Sequence, residues 1–273
     1  MSTLPSENHI LLPFERDRLL HTYREFYKTK RNNFLAMVSH FPSLWQNFQF
    51  LDEVWTRGNQ DLTKPGESRQ VLPSLLFQQA HLKFRIGMEL GFSLCLPEAW
   101  AVVRVGIEST VHAHKIHREA GAAEVWSARD EGKTHRAAFN RMFMENKKES
   151  LFPPLGGLEE LYIYWRDYSE WGSHSSVVDM GTRVRQVDTP QDVTIRFDCF
   201  DTNESRAIPC IYHLLNAGRL MERAFFDIFR DRLQFDYSLA NQRSDFEKRH
   251  SDMAGDLRAK YGAEILSEWR DLD

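Results

Sequence analysis

The segment from Val103 to His117, VRVGIESTVHAHKIH, contains an arginine, a glutamate and three histidines. Arg104, Glu108 and His112 recur at every fourth position, so on an α-helix they form a continuous row along one side. The arginine can pair with the glutamate, and the glutamate would raise the affinity of the histidine for its proton. The row therefore predicts either a polar pocket with three candidate catalytic residues or a set of contacts that fastens two helices together.

A metal site is a further alternative for this segment. Carboxylate-bridged di-iron bundles use Glu-x-x-His pairs on two helices, whereas the spacing from Glu108 to His112 is four and occurs once. His112, His114 and His117 do not share one face of a helix, and the chain has no HExxH motif. The sequence therefore predicts no bound metal and no cofactor.

The segment RDYSEWGSHSS combines aromatic and polar side chains at the expected end of a helix. Tyr168 falls on the apolar face, and Ser173 and His174 follow Gly172, a residue type that often ends helices. The negative end of the helix dipole favours a charged histidine at that place. His174 is therefore a candidate catalytic residue, and Arg166, Tyr168 and Ser173 are candidate ligand-binding residues, with helix capping as the alternative.

A third segment, EVWSARDEG, places Trp126 and Arg129 three residues apart. On a helix these side chains are neighbours, and a guanidinium can stack on an indole ring. Ordinary packing is the alternative. We take Trp126 as a candidate ligand-binding residue and Arg129 as a candidate catalytic residue.

The elements that position these residues are helices. Apolar residues recur at helical spacing over most of the chain, and strict alternation is confined to VTIRFDCF, where Val193, Ile195 and Phe197 share one face. This pattern predicts a mainly α protein: a single helical-bundle domain over residues 1–273, with a short β-hairpin inserted at 182–200 and C-terminal helices over 207–268. Residues 122–148 are predicted as one helix, weakened at Gly132.

Composition restricts the class of protein. The 273 residues are 42% hydrophobic and 27% charged with a net charge of −4, which gives no overall electrostatic attraction to nucleic acid or membrane. Three cysteines without a CxxC pair are typical of a reducing compartment. No secretory signal is evident, and no apolar run approaches the roughly 20 residues of a membrane span. A cytoplasmic protein that does not contact membranes is expected.

The succession of VVRVGIESTVHAHKI, EVWSARDEGK and LYIYWRDYSEWGSHSS resembles a group of bacterial helical proteins that is itself similar to the HEPN superfamily of helical bundles. The resemblance covers residues 75–180 as the HEPN-like core. It implies a protein that binds or acts on RNA or a nucleotide, such as a metal-independent ribonuclease of toxin or phage-defence type, and that works as a homodimer.

The ribonuclease motif of that superfamily is an arginine followed, after four to six residues, by a histidine. Arg129 and His135 fit it, with the polar Asp130 beside the arginine, so His135 becomes a further candidate catalytic residue. Two other pairs fit the same spacing equally well, Arg206 with His213 and Arg243 with His250.

Two hypotheses follow: an RNA- or nucleotide-directed protein, and a non-catalytic helical interaction protein in which the Arg–Glu–His row is structural. Proximity distinguishes a shared site from an ordinary core helix. If the helices over 98–120 and 158–172 pack together, Glu108 and His174 should lie within about 15 Å, the reach of one ligand.

Overall fold

A computed structural model of the chain describes residues 20–62, 70–172, 183–188, 193–233 and 237–262. These residues are mainly helical, which confirms the prediction of a mainly α protein. The helices are α1 (His21–His40), α2 (Pro42–Leu62), α3 (Val71–Phe92), α4 (Leu96–Arg118), α5 (Ala122–Ser127), α6 (Lys133–Phe139), α7 (Lys147–Leu151), α8 (Leu158–Gly172), α9 (Glu204–Ile228), α10 (Arg230–Leu233) and α11 (Tyr237–Tyr261), with a π-helical turn at Asn140–Met144. No helix in this part of the chain combines the length and the apolar character needed to cross a bilayer.

Helix α4 is the centre of the bundle and packs against α3, α8 and α9. Pro97 lies in its first turn, where the missing N–H costs no hydrogen bond. Val103, Ile107 and Val111 recur every fourth residue and are fully buried, as the helical period predicts. The opposite shoulder of the same helix carries Arg104, Glu108 and His112 at partly exposed positions.

Helix α8 runs antiparallel to α4, and its last residue permits a close approach. A Cβ atom added to Gly172 would lie 2.7 Å from the carbonyl oxygen of Pro97 and 2.8 Å from the backbone nitrogen of Ala101. Such distances are sterically forbidden, so glycine allows the end of α8 to lie directly on the first turns of α4.

The prediction of one helix over residues 122–148 is wrong. Helix α5 ends at Ser127, and a turn closed by a hydrogen bond from the backbone N–H of Glu131 to the carbonyl of Ala128 separates it from α6. A second break follows the π-helical turn, because Asn146 has a φ of +47°, a left-handed conformation that a continuous α-helix does not accommodate. The interruptions turn α7 back toward α4 and α8, with which it makes contact.

Two short strands, β1 (Val184–Asp188) and β2 (Val193–Phe197), pair antiparallel, with Val184 opposite Phe197 and Asp188 opposite Val193. Residues 189–192, which connect them, lie outside the described residues. The complete hairpin inserted at 182–200 therefore stays a prediction, as do the other domain boundaries.

Candidate functional site

The predicted pair of Arg104 and Glu108 is present on α4, and α8 joins it. Arg104 donates from Nη2 to Glu108 Oε1 over 2.9 Å, and Trp165 of α8 donates from its indole Nε1 to the same oxygen over 3.0 Å. The Arg104 guanidinium carbon lies 5.7 Å from the centre of the Trp165 ring. One carboxylate oxygen thus connects the two helices.

The pair is not sealed from solvent. The side chains of Arg104 and Glu108 are 25% and 35% exposed, although the Nε atom of Arg104 is buried and has no hydrogen-bond partner in the described part of the chain. A closed structural ion pair would be more deeply buried than this. The carboxylate is therefore accessible to a molecule that approaches from solvent.

His112, one turn further along α4, contacts α5. Trp126 donates from its indole Nε1 to His112 Nδ1 over 3.3 Å, and the Arg129 guanidinium carbon lies 4.7 Å from the centre of the Trp126 ring. The rings of Phe139 and Phe143 stack on each other and form an apolar floor, with the Phe143 ring centre 5.2 Å from that of His112.

The surroundings of His112 hold its ring neutral. Burial lowers the pKa of His112 to about 4, and the positive charges of Arg129 and Lys147 lower it further in the same direction. Because Nδ1 accepts from the Trp126 indole, the hydrogen of the neutral ring is on Nε2. Neither nitrogen then has a free lone pair, so in this arrangement His112 donates a hydrogen bond and does not act as a general base.

Lys147, at the start of α7, completes the group. Its Nζ lies 5.1 Å from the centre of the Trp165 ring, on the side of the site that also faces His112. Within the described ranges Lys147 has no carboxylate partner, whereas Arg104 is paired with Glu108 and Arg129 with Asp130. We call the following residues the indole cluster: Arg104, Glu108, His112, Trp126, Arg129, Lys147 and Trp165.

Trp165 and Lys147 are the members of the indole cluster that sequence reasoning missed. The spacing of α8 assigns Trp165 to the apolar face, and it does pack there, with its ring centre 5.7 Å from that of Phe152. Its indole N–H is the polar part that reaches α4. For Lys147 the only available signal is the neighbouring Asn146, a residue type that tolerates the left-handed conformation and so permits a chain reversal.

Several sequence-predicted site residues make their contacts elsewhere. His135 is about half exposed, and its Nε2 lies 3.9 Å from the carboxylate of Glu131. Arg166 donates to Asp167 over 3.0 Å. Tyr168 is buried beside Tyr164, and burial raises its pKa well above the usual range. Its hydroxyl has no hydrogen-bond partner among the described residues.

Two candidate residues, Ser173 and His174, lie outside the described residues, so the expected proximity of Glu108 and His174 stays a prediction. Of the other arginines that match the ribonuclease spacing, Arg206 is bound through two nitrogens to Asp201 and Arg243 through two nitrogens to Glu222. Both guanidinium groups are therefore already engaged by carboxylates.

In the part of the chain that the structure describes, no three His, Cys, Asp or Glu side chains are grouped closely enough to hold a metal ion. Comparison of the chain with known protein families, curated proteins and solved structures finds no match. The inference of function therefore depends on the chemistry of the indole cluster.

Proposed function

We propose that the indole cluster binds a planar anion, and that the ligand is a nucleotide, either free or as part of an RNA strand. The observation that carries this proposal is the pairing of indoles with cations. Trp126 has a guanidinium 4.7 Å from its ring centre, and Trp165 has an ammonium at 5.1 Å, with both indoles partly exposed.

Each part of a nucleotide finds a suitable group here. A base can pack against an indole ring, which contributes about 1–3 kcal/mol where it has been measured. A phosphate suits Lys147, the cation without a carboxylate partner among the described residues, and the exposed part of Arg129. Glu108 uses one carboxylate oxygen for Arg104 and Trp165, which leaves the other to accept from an amino group of the base.

The proposal concerns the binding of a nucleotide, and cleavage of RNA is a separate question. Metal-free cleavage of RNA needs a base near the 2′-hydroxyl and a cation on the phosphate. His112 has no free lone pair in its present contacts, so a ribonuclease of the HEPN type would have to use His135 or His174 with Arg129. The resemblance also supports a cytoplasmic homodimer as part of the same proposal.

Calorimetric titration with adenosine and guanosine monophosphates tests the binding. Lys147→Ala should weaken binding about tenfold, the value of one charge-assisted hydrogen bond at a partly exposed site. Lys148→Ala is the matched control, because this neighbouring lysine lies over Tyr162 and outside the indole cluster. Equal affinities of the two variants, or no binding of either nucleotide to the wild type, would contradict the proposal.

Incubation of the protein with RNA in the presence of a chelator tests cleavage separately. A metal-independent ribonuclease would cleave under these conditions and lose the activity in Arg129→Ala and in either His135→Ala or His174→Ala. If the protein binds nucleotides but does not cleave RNA, it functions as a binding module and not as a ribonuclease. Static light scattering measures whether the protein is a dimer in the same buffer.

The second candidate function is a non-catalytic interaction protein, in which Arg104 and Glu108 are structural. The observation that favours it is that one carboxylate oxygen of Glu108 accepts hydrogen bonds both from Arg104 of α4 and from Trp165 of α8. Glu108→Ala should then cost about 3–5 kcal/mol of unfolding free energy, as for a buried pair. A loss below about 1 kcal/mol, which is typical of a solvated pair, would favour the binding site.

A further inference from the structure

A surface pocket of about 640 Å³ lies between the C-terminal end of α4 and the helices α5, α6 and α7. Its volume is within the range of roughly 300–1,000 Å³ that small-molecule sites occupy. Val125, Ala138 and Met142 supply the apolar part of its lining, and the rest of the lining is polar or charged. The residues that line this pocket include no member of the indole cluster.

Lys115 of α4 forms the buried wall of the pocket. Its side chain is 6% exposed, and its ammonium donates to Glu119 Oε1 over 2.6 Å and to Ser150 Oγ over 2.9 Å. An ammonium has three hydrogens, and the third has no acceptor atom among the described residues. The centre of the Phe143 ring lies 6.0 Å from Nζ, at the outer limit of a cation–π contact. Because a buried donor without an acceptor is costly, an anionic group of a ligand would be favoured here.

The outer part of the pocket carries charged side chains that are not paired with each other. Arg141, Glu145 and Glu149 are exposed and form no ion pair within the described ranges, although Arg141 and Glu145 are only four positions apart. Together with Lys115 and Glu119, the lining has two cations and three carboxylates, a net charge of −1. A ligand that carries both signs of charge and a net charge of +1 would neutralise it.

We propose that this pocket binds a free basic α-amino acid, for which L-arginine is the probe. The carboxylate of the amino acid suits Arg141 and the third hydrogen of Lys115. Its α-ammonium and its side-chain cation suit the carboxylates of Glu145 and Glu149. The methylene groups between these charges can pack against the apolar part of the lining.

Other classes of small molecule match these charges less well. A phosphate or a dicarboxylate would be repelled by the three carboxylates of the lining. A diamine would satisfy Glu145 and Glu149, but it would bring a cation beside Arg141 and leave the third hydrogen of Lys115 without an acceptor. The proposal does not rest on nucleotide binding, because the pocket and the indole cluster share no residue.

Calorimetric titration with L-arginine and three analogues, each of which lacks one of its charges, provides the test. Agmatine has no carboxylate, Nα-acetyl-L-arginine has no α-ammonium, and L-citrulline has no charge on its side chain. Each analogue should bind at least about tenfold more weakly than L-arginine, the value of one charge-assisted hydrogen bond at a partly exposed site.

Substitutions assign the charges of the ligand to those of the pocket. Arg141→Gln should weaken the binding of L-arginine about tenfold and should not weaken the binding of agmatine, which has no carboxylate. Of Glu145→Gln and Glu149→Gln, one should lose the preference for L-arginine over L-citrulline, and the other the preference over Nα-acetyl-L-arginine. Arg223→Gln and Glu160→Gln are the matched controls, at exposed positions that do not line the pocket. Circular dichroism verifies that the variants are folded.

Three outcomes would overturn the proposal. The first is the absence of a heat of binding with L-arginine at about 5 mM, which would mean an affinity too weak for three charge-assisted contacts. The second is binding of agmatine as tight as that of L-arginine, which would assign the pocket to amines. The third is equal affinity of Arg141→Gln and Arg223→Gln for L-arginine. Titration with adenosine monophosphate reports on the indole cluster separately, so the two proposals can fail independently.

Discussion

Mild acid should destabilise this protein, because three histidines are held in the neutral form: His114 and His250, which are buried, and His112, which is partly exposed. Burial lowers the pKa of His112, His114 and His250 to about 4 in each case, and nearby positive charges act in the same direction. In the unfolded chain each ring returns to its ordinary pKa of about 6.5. As pH falls below that value the unfolded state binds protons first, so stability is full above about pH 6.5 and is lost toward pH 4.

The difference between the pKa of each histidine in the folded and in the unfolded chain sets how much stability is lost. Linkage gives slightly less than about 2 kcal/mol lost per histidine between pH 7 and pH 5, hence about 5–6 kcal/mol for the three together. Total unfolding free energies are about 5–15 kcal/mol, so this loss is a large fraction of the whole.

His250 is the best of the three for a substitution. Neither of its ring nitrogens has a hydrogen-bond partner in the described residues, and its ring stacks on Tyr212 with centres 5.2 Å apart. Phenylalanine keeps the ring and removes the buried polar atoms. His250→Phe should gain about 1 kcal/mol at pH 7 and about 3 kcal/mol at pH 5. Urea unfolding followed by tryptophan fluorescence at both pH values measures the difference.

The control is His135→Phe, at a histidine that is 51% exposed, which should leave the loss between pH 7 and pH 5 as it is in the wild type. A wild-type loss below about 1 kcal/mol would refute the reasoning. So would a His250→Phe variant as sensitive to acid as the wild type. Either result would mean that these rings are charged or solvated inside the folded protein.

Three further substitutions test other parts of the interior by the same urea titration. Gly218→Ala should cost about 2 kcal/mol, because the new Cβ would lie 2.2 Å from the Phe84 ring; a neutral result would mean that this ring moves freely. Arg243→Met should cost about 3 kcal/mol at pH 7 by leaving Glu222 unpaired, and the cost should shrink as pH falls, because burial raises the pKa of that carboxyl and its neutral form needs no cationic partner. Tyr168→Phe removes a buried hydroxyl that has no partner among the described residues, so it should be neutral or stabilising by about 1 kcal/mol and leave nucleotide binding intact.

Features that depend on spacing within one helix could be predicted from the sequence, whereas contacts between residues far apart in the chain could not. The buried stripe of Val103, Ile107 and Val111 and the Arg104–Glu108 pair depend on spacing within one helix, and both could be predicted from it. The hydrogen bond from Trp165 to Glu108 joins residues 57 positions apart. Nothing in the spacing of α8 indicates that the polar edge of an apolar side chain reaches another helix.

The position of Lys147 beside Trp165 could not be predicted for a different reason. Residues 122–148 are rich in residues that favour helix, and local preference alone makes them one element. The chain nevertheless breaks at Ala128–Gly132 and at Asn146, where φ is +47°. A lysine that would lie far along a continuous helix is thereby brought over the Trp165 ring.

The close approach at Gly172 has an evolutionary consequence. Ala101, which Gly172 touches, precedes Glu108 by the same seven positions that separate Trp165 from Gly172. Seven residues are about two turns, or roughly 10 Å, in each antiparallel helix, so the contact at one end sets the register of the hydrogen bond at the other. In homologous proteins, the residues at positions 108, 165 and 172 should therefore be conserved together. In a homologue with a larger residue at position 172, the helices could not approach as closely, and positions 108 and 165 should then vary freely. Selection for the hydrogen bond between Glu108 and Trp165 would thus also act on Gly172, a residue that has no side chain.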